Sequence, residues 1–321
     1  MNTFKLSALS LALLPLLGYA EEIETNQNKA QREVDETIEV VGQRNQAYTE
    51  PNEKTQKLLA VAGLDGDPLS SVFSLPGVVY AGGDDGGEPA IRGSSTDDNA
   101  FYIDSLPVDY IFHLFGDSIF NKNLVRDFDL DPAGFNASYG NAIGGVFDVK
   151  LRDPRNQELT TTLDWSMIKA GAMVEGGITE NTAFYASYRR SLIHLFLGNG
   201  DELDDDVKVY QAPQSDDYQV KWQWLAGTNH KLSLSLNGAS DKGGINIADT
   251  SEWGRANPDV VGDLSLKASF DSASAQWEYF GDNSDYINFV VGQVKSKEKE
   301  HVGAGQFTKI DQTKLVARAL Y

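Results

Sequence analysis

The sequence has no cysteine and only three methionines, so a disulfide framework, a thiolate metal site and a thiol nucleophile are all excluded. Basic charge is scarce too. Lys and Arg number 27 against 47 Asp and Glu, a formal net charge of -20, and the footprint of a nucleic-acid-binding protein is missing. Beyond residue 20 no apolar run reaches the roughly 20 residues a membrane helix needs, so a membrane could be crossed only by strands. What the chain has in quantity is 30 glycines and 13 tyrosines, a composition of turns and aromatic strands. Its 321 residues suit one large domain or two smaller ones.

Residues 1–20 combine Lys5, the apolar run Leu6 to Leu17 and the small-residue end Gly18-Tyr19-Ala20, the pattern of a secretory signal peptide. The other reading, a buried N-terminal helix, has acidic Glu21-Glu22 directly after it. Residues 21–45 are polar and aperiodic, which predicts a flexible segment. One β-prone run interrupts it: Glu36, Thr37, Ile38, Glu39, Val40 and Val41. An exposed extended run can add itself to the open edge of another protein's sheet. It could equally be the first strand of the domain that follows.

From Ser74 to Val149 the chain carries SLPGV, EPAIRG (Glu88 to Gly93), FYIDSLPV (Phe101 to Val108) and GFNASYGNAIGGVFDV (Gly134 to Val149). Short runs of Val, Ile, Phe and Tyr bounded by Gly, Pro, Asp or Asn predict short strands joined by tight turns. Leu58, Leu59, Val61 and Leu64, then Leu69, Val72 and Phe73, predict two short helices around a break at Gly63 to Pro68. The loop Ala81 to Gly87 holds Asp84 and Asp85, hard oxygen ligands without the register of a calcium loop. His113, among Ile111, Phe112, Leu114 and Phe115, has no second histidine nearby and reads as a packed side chain. No metal or cofactor site is expected. The paired glycines Gly144 and Gly145 before a strand mark a place where backbone packs closely.

In order and spacing these four motifs resemble the plug domain of the TonB-dependent outer-membrane receptors. The resemblance implies an α+β plug domain over residues 46–153, followed by antiparallel transmembrane β-barrel strands over 154–321. It implies that Glu36 to Val41 form a TonB box. It gives Arg92, with Gly93 beside it, the role of tying plug to barrel, against the alternative of a solvated charge at a strand end. Asp104, Pro107, Gly134, Tyr139, Gly140, Gly144 and Gly145 become the plug's structural motif, with Ser105 where the family has glycine. Asp84 and Asp85, at the plug apex, would face the incoming ligand.

Past Pro154 the apolar residues alternate with period two, as in Tyr218 to Trp224, Lys231 to Asn237 and Leu264 to Phe270. A soluble sandwich and a transmembrane barrel both alternate, so periodicity leaves the two open. Three connectors read as short (Ile178 to Asn181, Ala226 to His230, Gly281 to Asp285) and three as long (Ile193 to Ser215, Asp241 to Gly262, Lys299 to Asp311). This is the asymmetry of outer-membrane barrels. The apolar parity slips after Phe270, which predicts a bulge at Asp271-Ser272 or, failing that, a turn. About eight strands are counted, an incomplete wall for a plug of this size. The expectation is an N-terminal portion of a longer receptor, although Leu315 to Tyr321 could also be a genuine barrel ending. Asp201, Glu202, Asp204, Asp205, Asp206, Asp216 and Asp217 face a single Lys208 in what reads as a solvated acidic loop, or as a site for cations and lipopolysaccharide phosphates.

The expected function is energy-coupled import across the outer membrane of a Gram-negative bacterium. The partners are TonB, outer-membrane lipid and lipopolysaccharide, and a scarce ligand such as a ferric siderophore, cobalamin, haem or an oligosaccharide. The alternative is a small outer-membrane or secreted β-protein that binds ligand without energy coupling. No enzyme is expected: carboxylates such as Asp84, Asp85 and Asp104 lack a nucleophile and base beside them.

Overall fold

The computed structural model describes residues 67, 69–80, 87–114, 116–132, 134–204, 206–281, 285–303 and 305–321. The signal segment, the run Glu36 to Val41, the first of the two expected helices, and Asp84 and Asp85 lie outside them.

The N-terminal part is an inner module. A hairpin of β1 (Val78–Tyr80) and β2 (Pro89–Ile91) sits beside a four-stranded sheet of β3 (Ala100–Ile103), β4 (Leu106–Val108), β5 (Val125–Asp131) and β6 (Val146–Leu151) in the order β4-β3-β6-β5. β3 and β6 run parallel and the other pairs are antiparallel. Asp104 and Ser105, both with positive φ (47° and 69°), make the two-residue turn between β3 and β4, the hairpin geometry that favours Gly or Asn. Pro107 falls on β4, an edge strand, where its missing N–H costs no ladder bond to a second neighbour. Leu69, Ile91, Ile103, Phe120, Phe147 and Val149 are buried in the core. The second expected helix appears only as one 3-10 turn, Ser70–Ser74. Pro76 forces Leu75 into an extended conformation (ψ 143°) and stops it there.

The C-terminal part is a wall of antiparallel strands, each paired with its neighbours along the chain: β7 (Thr160–Trp165), β8 (Lys169–Thr179), β9 (Thr182–Ser191), β11 (Val207–Ala226), β12 (His230–Ile247), β13 (Gly262–Phe280), β14 (Tyr286–Val302) and β15 (Gln306–Leu320). A short strand, β10 (Glu202–Asp204), pairs with the start of β11. The eight strands of the path agree with the number counted from the alternation. Among the described residues β7 and β15 do not pair with each other.

Two expectations for the wall need correction. The stretch Lys299 to Asp311 is no long loop: β14 runs to Val302, β15 starts at Gln306, and three residues connect them. Likewise β11 begins at Val207 and β12 continues to Ile247, so much of the other two long stretches is strand. The end of β14, Lys295 to His301, is polar on both faces, and composition alone then looks like loop; on β11 and β12 the buried Val207, Val209 and Ile247 are too widely spaced among polar residues and glycines to stand out. At Asp271-Ser272 there is neither bulge nor turn. Both residues pair in unbroken register with Gly238 and Asn237 on one side and with Lys295 and Val294 on the other.

The parity slip has a different cause. Along β13 the even-numbered residues point inward throughout, from Ala268, Phe270 and Ser272 to Glu278. In the first half the apolar side chains are on that inner face, where Phe270 packs edge-on against Tyr110 of the module, ring centroids 5.2 Å apart. In the second half they are on the outer face, as Ala273, Ala275 and Trp277. One straight strand thus serves two environments. Over much of the wall the buried face is polar, with Ser187, Gln219, Lys221, Ser235, Asn237 and Asn288 all buried, interrupted by apolar side chains such as Met173, Tyr185, Phe270 and Val294 where the module packs. The exposed face carries Leu163, Trp224, Leu234, Leu236, Trp277 and Phe289. A sheet facing water on its outside has the reverse arrangement.

Candidate functional site

The polar inner face of the wall is where the module is held, and most of its buried charges are spent there. β9, β11 and β12 present Arg189, Asp217 and Asp241 inward because each falls on the inward parity of its strand. Asp217 is opposite Ala239, two residues from Asp241, so the two carboxylates are diagonal neighbours on one face. Between them sits His113 of the module. Its Nδ1 is 2.9 Å from Asp241 and its Nε2 is 3.1 Å from Asp217. Arg189 donates from Nε (2.8 Å) and Nη2 (2.9 Å) to the two oxygens of Asp217 and also to the carbonyl of Ser118 (2.8 Å). Lys169 pairs with Asp117 of the module. Burial alone pushes His113 down, but its hydrogen bonds to Asp217 and Asp241 and the charges of Asp241 and Asp117 override it and raise its pKa to about 9. Near neutral pH the imidazole is therefore a cation with both ring nitrogens donating. Burial, and after it the same Asp241 carboxylate, raises the pKa of Tyr110 well above its ordinary value.

A second contact uses Asp104. Its Oδ1 accepts from the backbone of Leu151 at 2.9 Å, and its Oδ2 accepts from Lys221 of β11 at 3.0 Å. Lys221 also donates to the carbonyl of Leu151. Around these two anchors, Gln219 bonds the backbone of Ile119 and Asn121, and Asn121 bonds Ser187. At the end of the module Arg152 forks onto Glu175 of β8, and Asp153 meets Lys231 at 3.2 Å. On β15, Arg318 lies over the rings of Tyr102 and Tyr139 (5.0 and 5.5 Å) and donates to the carbonyls of Ser105 and Ser138, both at 2.6 Å.

The motif residues come together in part. Tyr139 packs on Tyr102 (ring centroids 5.1 Å apart) and donates to Asp148 at 2.8 Å. Asp148 is buried in the module, which raises its pKa. Gly140 exchanges hydrogen bonds with the Tyr102 hydroxyl, and Gly134 has φ +72°. A Cβ on Gly145 would lie 2.2 Å from Ile91 Cδ1, and one on Gly144 2.6 Å from Ser94 Oγ, which is the close packing read from the glycine pair. Arg92 is placed elsewhere. It is exposed, with φ 50°, in the turn after β2, its N–H bonded to the Gly77 carbonyl at 2.7 Å and its stem packed on Gly77. Among the described residues its side chain meets no carboxylate of the wall. Gly93 (φ +82°) completes that turn.

Sequence reasoning missed His113. The available signal was a histidine in an apolar run together with two aspartates at inward parity on later strands, and it needed the register to be read. The acidic loop also divides: Asp216 and Asp217 are strand residues, Asp216 outward beside Arg190 and Tyr188, Asp217 inward under His113.

No family profile matches the chain, and no curated protein sequence matches it. Solved structures do share its fold. The ferric yersiniabactin uptake receptor FyuA from Yersinia pestis superposes with a TM-score of 0.54 at 14% identity, over 79% of this chain and 42% of that one. A mutant (G324V) of the ferric enterobactin receptor PfeA from Pseudomonas aeruginosa gives 0.51 at 11% identity, over 84% and 47%. The ferric citrate transporter FecA gives 0.50 at 14%, over 74% and 37%. The chain thus spans less than half the length of each of these structures. The resemblance to the TonB-dependent outer-membrane receptors read from the sequence is matched by the fold, as a likeness of architecture to solved siderophore receptors.

Proposed function

We propose that this chain is the plug and the first part of the barrel wall of an energy-coupled receptor in the outer membrane of a Gram-negative bacterium. The observation that carries the reading is the inverted sheet: its largely polar face is turned onto the inner module and its apolar face outward. That arrangement suits lipid outside and a plug inside. In this reading the module is the plug (46–153), held by His113, Asp104 and Arg318 contacts, with Arg92 and Gly93 at its rim and Asp84 and Asp85 toward the ligand. Glu36 to Val41 form the TonB-coupling segment, and residues 1–20 are the export signal. The structures that share the fold are named for ferric yersiniabactin, ferric enterobactin and ferric citrate, so a ferric chelate comes first among the ligand classes.

Binding alone does not drive uptake against a gradient, because a ligand shifts an equilibrium only by its differential affinity. Work must reach the plug from the periplasm through TonB, and it must act against the buried charge pairs. Deleting Glu36 to Val41 tests this: uptake of radiolabelled ferric chelate by cells is expected to stop while binding to the cell surface persists. Uptake that continues unchanged after the deletion refutes the coupling role.

A further inference from the structure

Four lysines form one row across the outer face of the wall. Lys242 on β12 is the register partner of Lys267 on β13, Lys267 of Lys299 on β14, and Lys299 of Lys309 on β15. Direct partners on antiparallel strands share a face, their Cβ atoms about 5 Å apart. That face is the outer one, since the residues of inward parity on these strands are Asp241, Ala268 and Lys314, the last bonded to Asp109 of the module. Lys295 and Lys297 lie on the same face of β14. All but Lys242 are exposed, and none of the six makes an ion pair with a described residue. Even Asp271, directly opposite Lys295, accepts instead from the Tyr218 hydroxyl at 2.8 Å.

Six lysines therefore face three aspartates (Asp263, Asp271 and Asp311) in a chain whose net charge is -20. Like charges directly opposite one another destabilise a sheet. Three of the four strands in the row have a neighbour on both sides, so the row is not a device for guarding an edge. Its height is also informative. Lys267 is ten residues along β13 from the outward Trp277. That is about 34 Å of strand, or roughly 26 Å of height at a tilt near 40°. Along that face the outward residues pass from Trp277, Ala275 and Ala273 to the polar Asp271 and Ser269 before Lys267, so the row stands above the apolar part of the face, where phosphates rather than acyl chains lie. The row itself spans about 14 Å across four strands, room for more than one phosphate group.

Resting on the membrane reading above, the geometry points to this row as a binding site for the phosphates of phosphorylated lipid headgroups in the leaflet around the wall. The ladder's mutual repulsion is relieved by the anion, and the apolar residues further down that face, Ala273, Ala275, Trp277, Phe289 and Val291, take the acyl chains. The native protein as cells make it and its variant carrying Lys242→Gln, Lys267→Gln, Lys299→Gln and Lys309→Gln would be inserted into phosphatidylcholine vesicles, with and without a bisphosphorylated glycolipid. Insertion is read by protease protection, and retained phosphorylated lipid by mass spectrometry after transfer to neutral detergent. The wild type should retain at least about tenfold more than the variant, since each basic residue near an anionic surface contributes a several-fold factor.

In neutral detergent without the lipid, Lys299→Gln should melt no lower than the wild type, because it removes repulsion with Lys267 and Lys309. Equal retention by wild type and variant overturns the site. So does complete displacement of the glycolipid by an equal concentration of pyrophosphate, which makes free phosphate the ligand. Failure of the wild type to insert overturns the membrane reading along with it; insertion without selectivity overturns the site alone.

Discussion

The inner module and the wall use the same alternation of apolar and polar residues to opposite ends. In the module, Ile103, Leu106, Phe147 and Val149 turn inward and meet one another. In the wall, Leu234, Leu236, Trp277 and Phe289 turn outward, while Lys221, Gln219 and Asn237 are the buried ones. Period two fixes which residues share a face, but not which face meets what. The module is held together by apolar burial, worth about 25 cal/mol per Å². The seam between module and wall adds charge to apolar contact, since Met173, Tyr185, Phe270 and Val294 of the wall join the module's core cluster, and its charge contacts fail differently: removing one partner strands the other in a low-dielectric place.

The largest test of that contrast is His113→Ala. It leaves Asp241 buried without its imidazolium partner, beside the Leu114 backbone N–H at 3.3 Å and the Tyr110 hydroxyl. The expected loss is about 3–5 kcal/mol, read as earlier hydrogen exchange in β3 to β6. All five tryptophans lie in the wall, so their fluorescence follows the wall separately. The histidine also gives the seam a pH dependence. A pKa raised from 6.5 to about 9 contributes stability that is complete below about pH 6.5 and is lost as pH climbs through 9, roughly 3 kcal/mol in all. The variant should lack this alkaline limb. An alkaline limb of equal size in both proteins would show that His113 is not its source.

Leu234→Arg probes the other face. Leu234 is outward and half exposed, opposite Trp222 and Ala275, midway between the His230 turn and Gly238. If that face meets lipid, the charge costs about 2–4 kcal/mol for folding into a bilayer. In a sheet with water outside it should cost a few tenths at most. Folding yields into vesicles of increasing urea concentration separate the two, and a neutral substitution would return the wall to the class of soluble sandwiches.

The same two faces explain what was legible in the sequence. The glycine pair at Gly144 and Gly145, the strand FYID and the eight-strand meander are local patterns, set by steric fit and by period, and they could be read directly. His113 could not, because its partners are 104 and 128 residues away and meet it only through register. The parity slip in β13 was visible but was assigned to the backbone, because alternation presumes a constant environment along each strand. The polar ends of β14 and β15 looked like loop for the same reason: where both faces meet water, polarity no longer distinguishes a strand.

The smallest prediction returns to a local pattern. Ser105 holds φ +69° in the two-residue turn between β3 and β4, immediately after Asp104 at φ +47°. A non-glycine residue in that region costs about 1–2 kcal/mol through the approach of Cβ to the following carbonyl, and the hairpin turn favours glycine at this second position. Ser105→Gly should therefore stabilise the module, by about 1 kcal/mol or less once the greater freedom of glycine in the unfolded chain is counted. The gain should appear in exchange from β3 and β4 and not in the tryptophan signal of the wall. Asp104 would stay in place, since its oxygens are fixed by Leu151 and Lys221. A loss of stability would mean that the Ser105 carbonyl, which accepts from Arg318, depends on the serine to hold its direction, so that the turn is set by the seam and not by its own dihedral angles.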